Sequence, residues 1–209
     1  ERRPGEVVFT ATGREVAERA ERILTAVTDL IDVARPRGRS LTGLFRLGVI
    51  PTVAPYLLPP LLPALHARFP ELKLDIRETQ TGTLLRELRR GQLDAALVAL
   101  PVEAGDLDVC ELFADAFHLA VPAGDPLNPD AEVTAQDVAR RKLILLEEGH
   151  CLRDQALSFC AAAPPDLAAG LGATSLATVM QMVANGYGAT LVPQIALAVE
   201  ARDPRVKVL

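Results

Sequence analysis

Tryptophan is absent from this 209-residue chain, and aromatic residues together make up only 4% of it. Long apolar runs are missing as well: none approaches the roughly 18 uninterrupted residues that mark a membrane span. Positive charge is not in excess, since 22 Lys and Arg stand against 27 Asp and Glu for a net charge of −5. The bulk of the surface is therefore no nucleic-acid-binding face. The first residues, "ERRPGEVVFT", carry no apolar signal-peptide core, which fits a cytoplasmic protein. Cysteine is scarce too. Three of them, an odd number, exclude the disulfide framework of a small secreted domain. No Cys/His grouping has zinc-ligand spacing, and "GLGATS" is too short and poorly placed for a phosphate loop, so neither metal nor cofactor is expected. What is present is 49% hydrophobic residues, enough to bury a full core in one large domain or two lobes.

The first dozen residues hold one β-like stretch, "EVVFTAT", too short to fold alone. Thr12 followed by Glu15 is a capping-box signature that predicts a helix start. Val16, Ala20, Ile23, Val27, Leu30 and Ala34 then recur at alternating spacings of four and three, a heptad seam flanked by Glu and Arg. Such a helix either packs on its own domain or pairs with a second copy. The basic, breaker-rich "RPRGRS" after it favours pairing.

From Leu44 onward strands and helices alternate. "LFRLGVI", "LKLDIRE" and "LDAALVAL" read as strands, separated by "VAPYLLPPLLPALHARF", with its prolines near the start, and "TLLRELRRG" as helices. A second set follows, with strands "FHLAVP", "KLILL" and "GATLVP" and helices in "TAQDVARR", the cysteine segment and "TSLATVMQMVANG". This spacing predicts parallel βαβ units in two lobes with a cleft between them. In such sheets sites collect beyond the C-terminal ends of the strands. Thr52, Thr81 and the pair His150–Cys151 each follow a different strand, and so reach that end together. Taken singly, a threonine there is usually a helix cap. Together with a cysteine at a helix start, the set points to chemistry.

"EEGHCLRDQALSFC" places Cys151 and Cys160 nine residues apart on a segment that reads as helix. Nine helical residues advance the axis by roughly 13–14 Å, whereas a disulfide needs Cα atoms about 4.4–6.8 Å apart. If the segment is helical when reduced, the two can join only after it unwinds. Cys160, in apolar "ALSFCAAA", reads as buried and inert in that state. Cys110, in "LDVCELF", has no basic neighbour within three residues and is expected in the core.

"TGREV" leading into a long helix, "PTVAPYLLPPLLPALHARFPELKLDIRE", "GQLDAALVAL" and "ATSLATVMQMVANGYGATLVP" resemble the LysR-type bacterial transcriptional regulators. "LLEEGHCLRDQALSFC" is more specific and resembles the redox segment of that family's peroxide-sensing members. The resemblance implies a two-lobed, periplasmic-binding-protein-like α/β effector domain behind a linker helix that dimerises. It places the last edge of a winged helix-turn-helix at 1–11, the linker helix at 12–36, the first lobe at 44–117 and 194–209, and the second lobe at 118–193. It further implies Cys151 as the peroxide-reactive cysteine, Cys160 as its resolving partner in a redox disulfide, and Thr52, Thr81, His150, Arg153 and Asp154 around the pocket. Hydrogen peroxide is the implied effector, DNA the partner of the domain ahead of residue 1, with RNA polymerase contact and a dimer or tetramer.

The chemistry gives these residue types a reason. A thiolate attacks one peroxide oxygen while the other leaves, so the sulfur must ionise against an ordinary pKa of about 8.5. A helix N-terminus, Arg153 or a protonated His150 favours the anion, while Glu147, Glu148 and Asp154 oppose it. Threonine hydroxyls can hold the peroxide oxygens. Two other function classes compete: a LysR-type regulator binding a small molecule in the cleft, and a thiol peroxidase that turns over.

Overall fold

The structure, a computed structural model, describes residues 2–3, 6–7, 9–34, 41–128, 132–160 and 166–209. Two short strands, β1 (Arg2–Arg3) and β2 (Glu6–Val7), pair antiparallel ahead of a 24-residue helix, α1 (Ala11–Ala34). The cap of α1 is Thr10, not the expected Thr12. Its Oγ1 accepts from the Gly13 amide at 3.0 Å, and its carbonyl accepts from Arg14 at 2.9 Å. Thr12 already lies inside the first turn, where its side chain can no longer cap. Glu15 is taken up instead by Arg19, four residues on, at 2.7 Å. Val16, Ala20, Ile23 and Val27 are all exposed, Ile23 to 64%, so these four positions of the heptad seam do not pack on their own domain. The side chains of Leu30 and Ala34, and the linker at 35–40, lie outside the described residues.

The first lobe is built on β3 (Gly43–Val49), flanked in parallel by β4 (Leu72–Glu78) and β5 (Ala95–Leu97). Helices α2 (Ala54–Arg68) and α3 (Thr81–Arg89) make the crossovers. Pro59, Pro60 and Pro63 lie inside α2 rather than near its start. Leu47, Val49 and Ala54 form one core cluster; Ile50, Leu84 and Leu93 form another. Only three residues of "LDAALVAL" are strand, and no helix or strand is assigned from Val98 to Ala116.

The second lobe follows as β6 (Phe117–Pro122), α4 (Ala135–Ala139), β7 (Lys142–Leu146), α5 (Cys151–Phe159), β8 (Asp166–Ala173), α6 (Leu176–Ala184), β9 (Thr190–Pro193), α7 (Gln194–Glu200) and β10 (Val206–Val208). β7 and β8 are parallel, but β6 runs antiparallel to both β9 and β10. A parallel bridge between Leu143 and Ala189 joins β7 to β9, giving a mixed sheet ordered β10-β6-β9-β7-β8. β9-α7-β10 is thus a crossover unit that straddles a strand of opposite direction, so the all-parallel expectation fails here. The fold is a two-lobed, periplasmic-binding-protein-like α/β architecture.

Segment 194–209, expected to close the first lobe, belongs to the second. β10 hydrogen-bonds along β6, and Leu209 exchanges two backbone bonds with Leu119, each 2.9 Å. Ala196 of α7 is buried in the second-lobe core with Ala120 and Val192, against which Val206 and Val208 also pack. Apolar burial decides the allegiance of this segment.

Gly188 marks the tightest approach in the second lobe. A Cβ there would collide with the Lys142 backbone oxygen and come within 3.2 Å of the Ile144 side chain. Backbone cannot yield as a side-chain tip can. Gly188→Ala should therefore cost about 1–3 kcal/mol, as overpacking does. At about 2–4 °C per kcal/mol for a chain of this size, thermal denaturation should show the melting temperature falling by several degrees. An unchanged Tm would show that the β7–β9 junction is looser than described.

Candidate functional site

Three strand ends of the two lobes deliver their residues to one place. Thr52 follows β3, Thr81 opens α3 after β4, and His150 and Cys151 follow β7. Neither threonine caps a helix. The N-cap of α2 is Val53 and that of α3 is Gln80, and neither helix has a side-chain cap bond. The hydroxyls are free for another task. Thr52, only 7% exposed, sets its Oγ1 4.0 Å from Cys151 Sγ. Thr81 Oγ1 is buried and makes no hydrogen bond of good geometry, yet it faces the same sulfur closely enough to favour its thiolate.

Cys151 begins α5, so its own amide and that of Leu152 face the sulfur. Burial is nevertheless the largest influence and pushes the thiol up. The Thr52 hydroxyl, the Leu152 amide, the Thr81 hydroxyl and the Cys151 amide pull it down by less. The sulfur also crosses the lobe boundary: Cys151 packs against the first-lobe cluster of Ile50, Leu84 and Leu93. His150 is buried at the N-cap position, its carbonyl accepting the Arg153 amide at 3.0 Å.

Arg153 and Asp154 do not join this group as expected. The Arg153 guanidinium donates to the Leu146 carbonyl at 3.2 Å, and Asp154 is exposed to solvent. Helical phase accounts for the first, since two residues past Cys151 the side chain has turned about 200°. Cys110, expected in the core, is exposed. It lies in the irregular 98–116 stretch, where Val109, Leu112 and Phe113 are exposed as well. Together with Thr52 and Cys151, that stretch and β5 border a largely apolar cavity of about 890 Å³.

Cys160, by contrast, sits where the sequence predicts. It is 0% exposed at the C-cap of α5, among Leu119, Val138, Leu143 and Leu191, and burial pushes its thiol up. All three cysteines are free. Leu152, Ala156 and Cys160, each four residues apart, are the buried stripe that anchors α5. Leu157 packs beside this stripe as a partly buried neighbour, and Phe159 is exposed.

Sequence reasoning missed the residues that fix the cysteine turn. Gly149 has φ +90°, and a Cβ on it would fall 2.6 Å from Gln80 Oε1. Gln80 Nε2 in turn donates to the Glu148 carbonyl at 3.2 Å, and Gln155 Nε2 to the Leu100 carbonyl at 2.9 Å. The glycine before His150 was a readable sign of a tight turn; the two glutamines carried none.

Because burial outweighs the hydrogen bonds at Cys151, iodoacetamide alkylation followed by peptide mass spectrometry should rise with pH through a midpoint above the ordinary value of about 8.5. Thr52→Val removes a hydroxyl that favours the thiolate and should move that midpoint higher still. A midpoint that stays put or falls would mean the hydroxyl does not reach the sulfur.

Residues 38–209 match the family model described as the LysR substrate binding domain. A hydrogen peroxide-inducible genes activator from Dickeya chrysanthemi is 40% identical over 200 residues, covering 96% of this chain and 66% of that protein. Among solved structures, a cysteine variant of OxyR from Corynebacterium glutamicum with hydrogen peroxide bound superposes with a TM-score of 0.78 at 34% identity, covering 100% of this chain and 66% of that one. The reduced regulatory domain of OxyR2 from Vibrio vulnificus gives 0.73 at 34% identity, with 84% of this chain and 83% of that one covered. The chain spans about two thirds of the length of the curated relatives it matches. No helix among the described residues is long and apolar enough to cross a membrane. The chain belongs to the LysR-type transcriptional regulators, in the group of the OxyR proteins.

Proposed function

We propose that this chain is the effector portion of a peroxide-sensing transcription regulator whose input is oxidation of Cys151. The observation that carries the reading is the convergence of a helix-start thiol and two buried threonine hydroxyls that face its sulfur. Such hydroxyls hold peroxide oxygens and polarise the O–O bond, by the logic of an oxyanion hole. In the proposed step the Cys151 sulfur attacks one peroxide oxygen. The S–O bond forms as O–O breaks, sulfur is oxidised by two electrons, and the leaving oxygen takes the thiol proton and departs as water. The sulfenic acid then condenses with the Cys160 thiol, forming S–S and releasing a second water. His150, buried and next to Cys151 in the chain, is assigned to the pocket wall in this reading. Peroxide-inducible activators and a peroxide-bound structure among the relatives support the assignment.

In this reading α1 pairs two chains through its exposed seam, and a winged helix-turn-helix, of which residues 1–11 are the last edge, binds DNA. RNA polymerase is the downstream partner. Each chain is oxidised once per signal in the cytoplasm rather than turning over as an enzyme. The cavity beside Cys151 favours a second reading, a small apolar effector bound there with the cysteines incidental. Transcriptional activation that survives Cys151→Ser would select it.

The direct test is thiol mapping after one equivalent of hydrogen peroxide. Cys151 should be modified first, and Cys160→Ser should stall at Cys151 sulfenic acid, trapped by dimedone, or overoxidise. Modification of exposed Cys110 at a comparable rate would overturn the assignment.

A further inference from the structure

The reacting pair is split between lobes: Thr52 comes from the first and Cys151 from the second, 4.0 Å apart. Whatever fixes the lobes therefore fixes the site. Tyr56 lies on α2 one helical turn after Thr52, and its ring packs against the second-lobe core that contains Val192 and Ala196. Its Oη donates to Glu200 Oε1 on α7 at 2.8 Å, in part-buried surroundings. Cys151 makes the reciprocal insertion, into the first-lobe core. The first turn of α2 ties the two ends together: Ala54 N donates to the Ile50 carbonyl and Leu57 N to that of Val53, each at 3.0 Å. A helix turn is rigid, so displacement at Tyr56 is passed to Thr52.

We infer that the Tyr56–Glu200 hydrogen bond is an interlobe latch, and that Tyr56 is a positioning residue which holds the Thr52 hydroxyl on the Cys151 sulfur. The inference rests on the peroxide-sensing reading and names what sets the geometry of that site. Chemistry suits Tyr56 to the task. Burial first, then the Glu200 hydrogen bond and charge, holds its phenol above the ordinary range, so it remains a donor at any physiological pH. A hydrogen bond to a charged acceptor is also among the stronger kinds. With the latch open, Thr52 withdraws, and the sulfur keeps its helix-start amides but loses the hydroxyl that orients the peroxide. General thiol reagents need no such hydroxyl.

That difference supplies the test. In a Cys160→Ser chain, where oxidation stops at the sulfenic acid, the second-order rates of Cys151 with hydrogen peroxide and with iodoacetamide, each expressed per thiolate from its pH profile, are compared for Tyr56 and Tyr56→Phe. The peroxide rate should fall about tenfold, the factor that corresponds to about 1.4 kcal/mol, near the lower end for a hydrogen bond to a charged group. The iodoacetamide rate should hold or rise. Glu200→Gln keeps an acceptor and should keep most of the peroxide rate, whereas Glu200→Leu should behave like Tyr56→Phe. A Tyr56→Phe peroxide rate within about twofold of the parent, or an equal fall in both rates, overturns the latch. A parent chain that forms no sulfenic acid overturns the peroxide reading itself and the latch with it.

Discussion

The buried stripe of Leu152, Ala156 and Cys160 holds α5 as a helix, and the helix holds the two redox candidates apart. Cys151 faces the lobe boundary at its start, and Cys160 is sunk in the second-lobe core at its end. Nine residues of helix separate them by roughly 13–14 Å, roughly two to three times the span of a disulfide. The proposed redox switch depends on that constraint. It allows Cys151 to meet peroxide without meeting Cys160, and it makes bond formation and helix loss one event.

The energetics suit a switch. A nine-residue helix has little stability of its own and relies on its packed face. The resolving thiol is itself the last residue of that face, so drawing Cys160 from the core removes an anchor as the bond is made. A disulfide closing a loop of this length contributes on the order of 2–3 kcal/mol, comparable to the packing given up when a few small side chains leave a core. Two states so balanced can be chosen by redox chemistry. The change would be felt beyond α5, because Gln155 bonds the Leu100 carbonyl of the first lobe, and that link cannot outlast the helix.

Much of the fold was legible. β4, β6 and β7 coincide residue for residue with "LKLDIRE", "FHLAVP" and "KLILL", because each is a strongly apolar or alternating run between clear breakers. β8 escaped because "DLAAGLGA" is mostly Ala and Gly, which have weak strand propensity. The direction of β6, and with it the home of 194–209, is a tertiary choice that local periodicity does not encode. At the site, strand-end positions alone brought Thr52, Thr81, His150 and Cys151 together. Contacts between lobes, from Tyr56, Gln80 and Gln155, could not be read, since they depend on how two separately folded sheets meet. Cys110 was misplaced because its apolar neighbours imitate a core strand, while the 98–116 stretch leaves them exposed.

Hydrogen exchange on α5 tests the central claim most directly. In the reduced chain the amides of residues 155–160 should be protected by the helix, and conversion to the Cys151–Cys160 disulfide should abolish that protection while β7 and β9 keep theirs. A disulfide-bonded chain, verified by mass, whose α5 amides exchange as slowly as in the reduced form would contradict the account: the helix would have survived a bond that its geometry forbids.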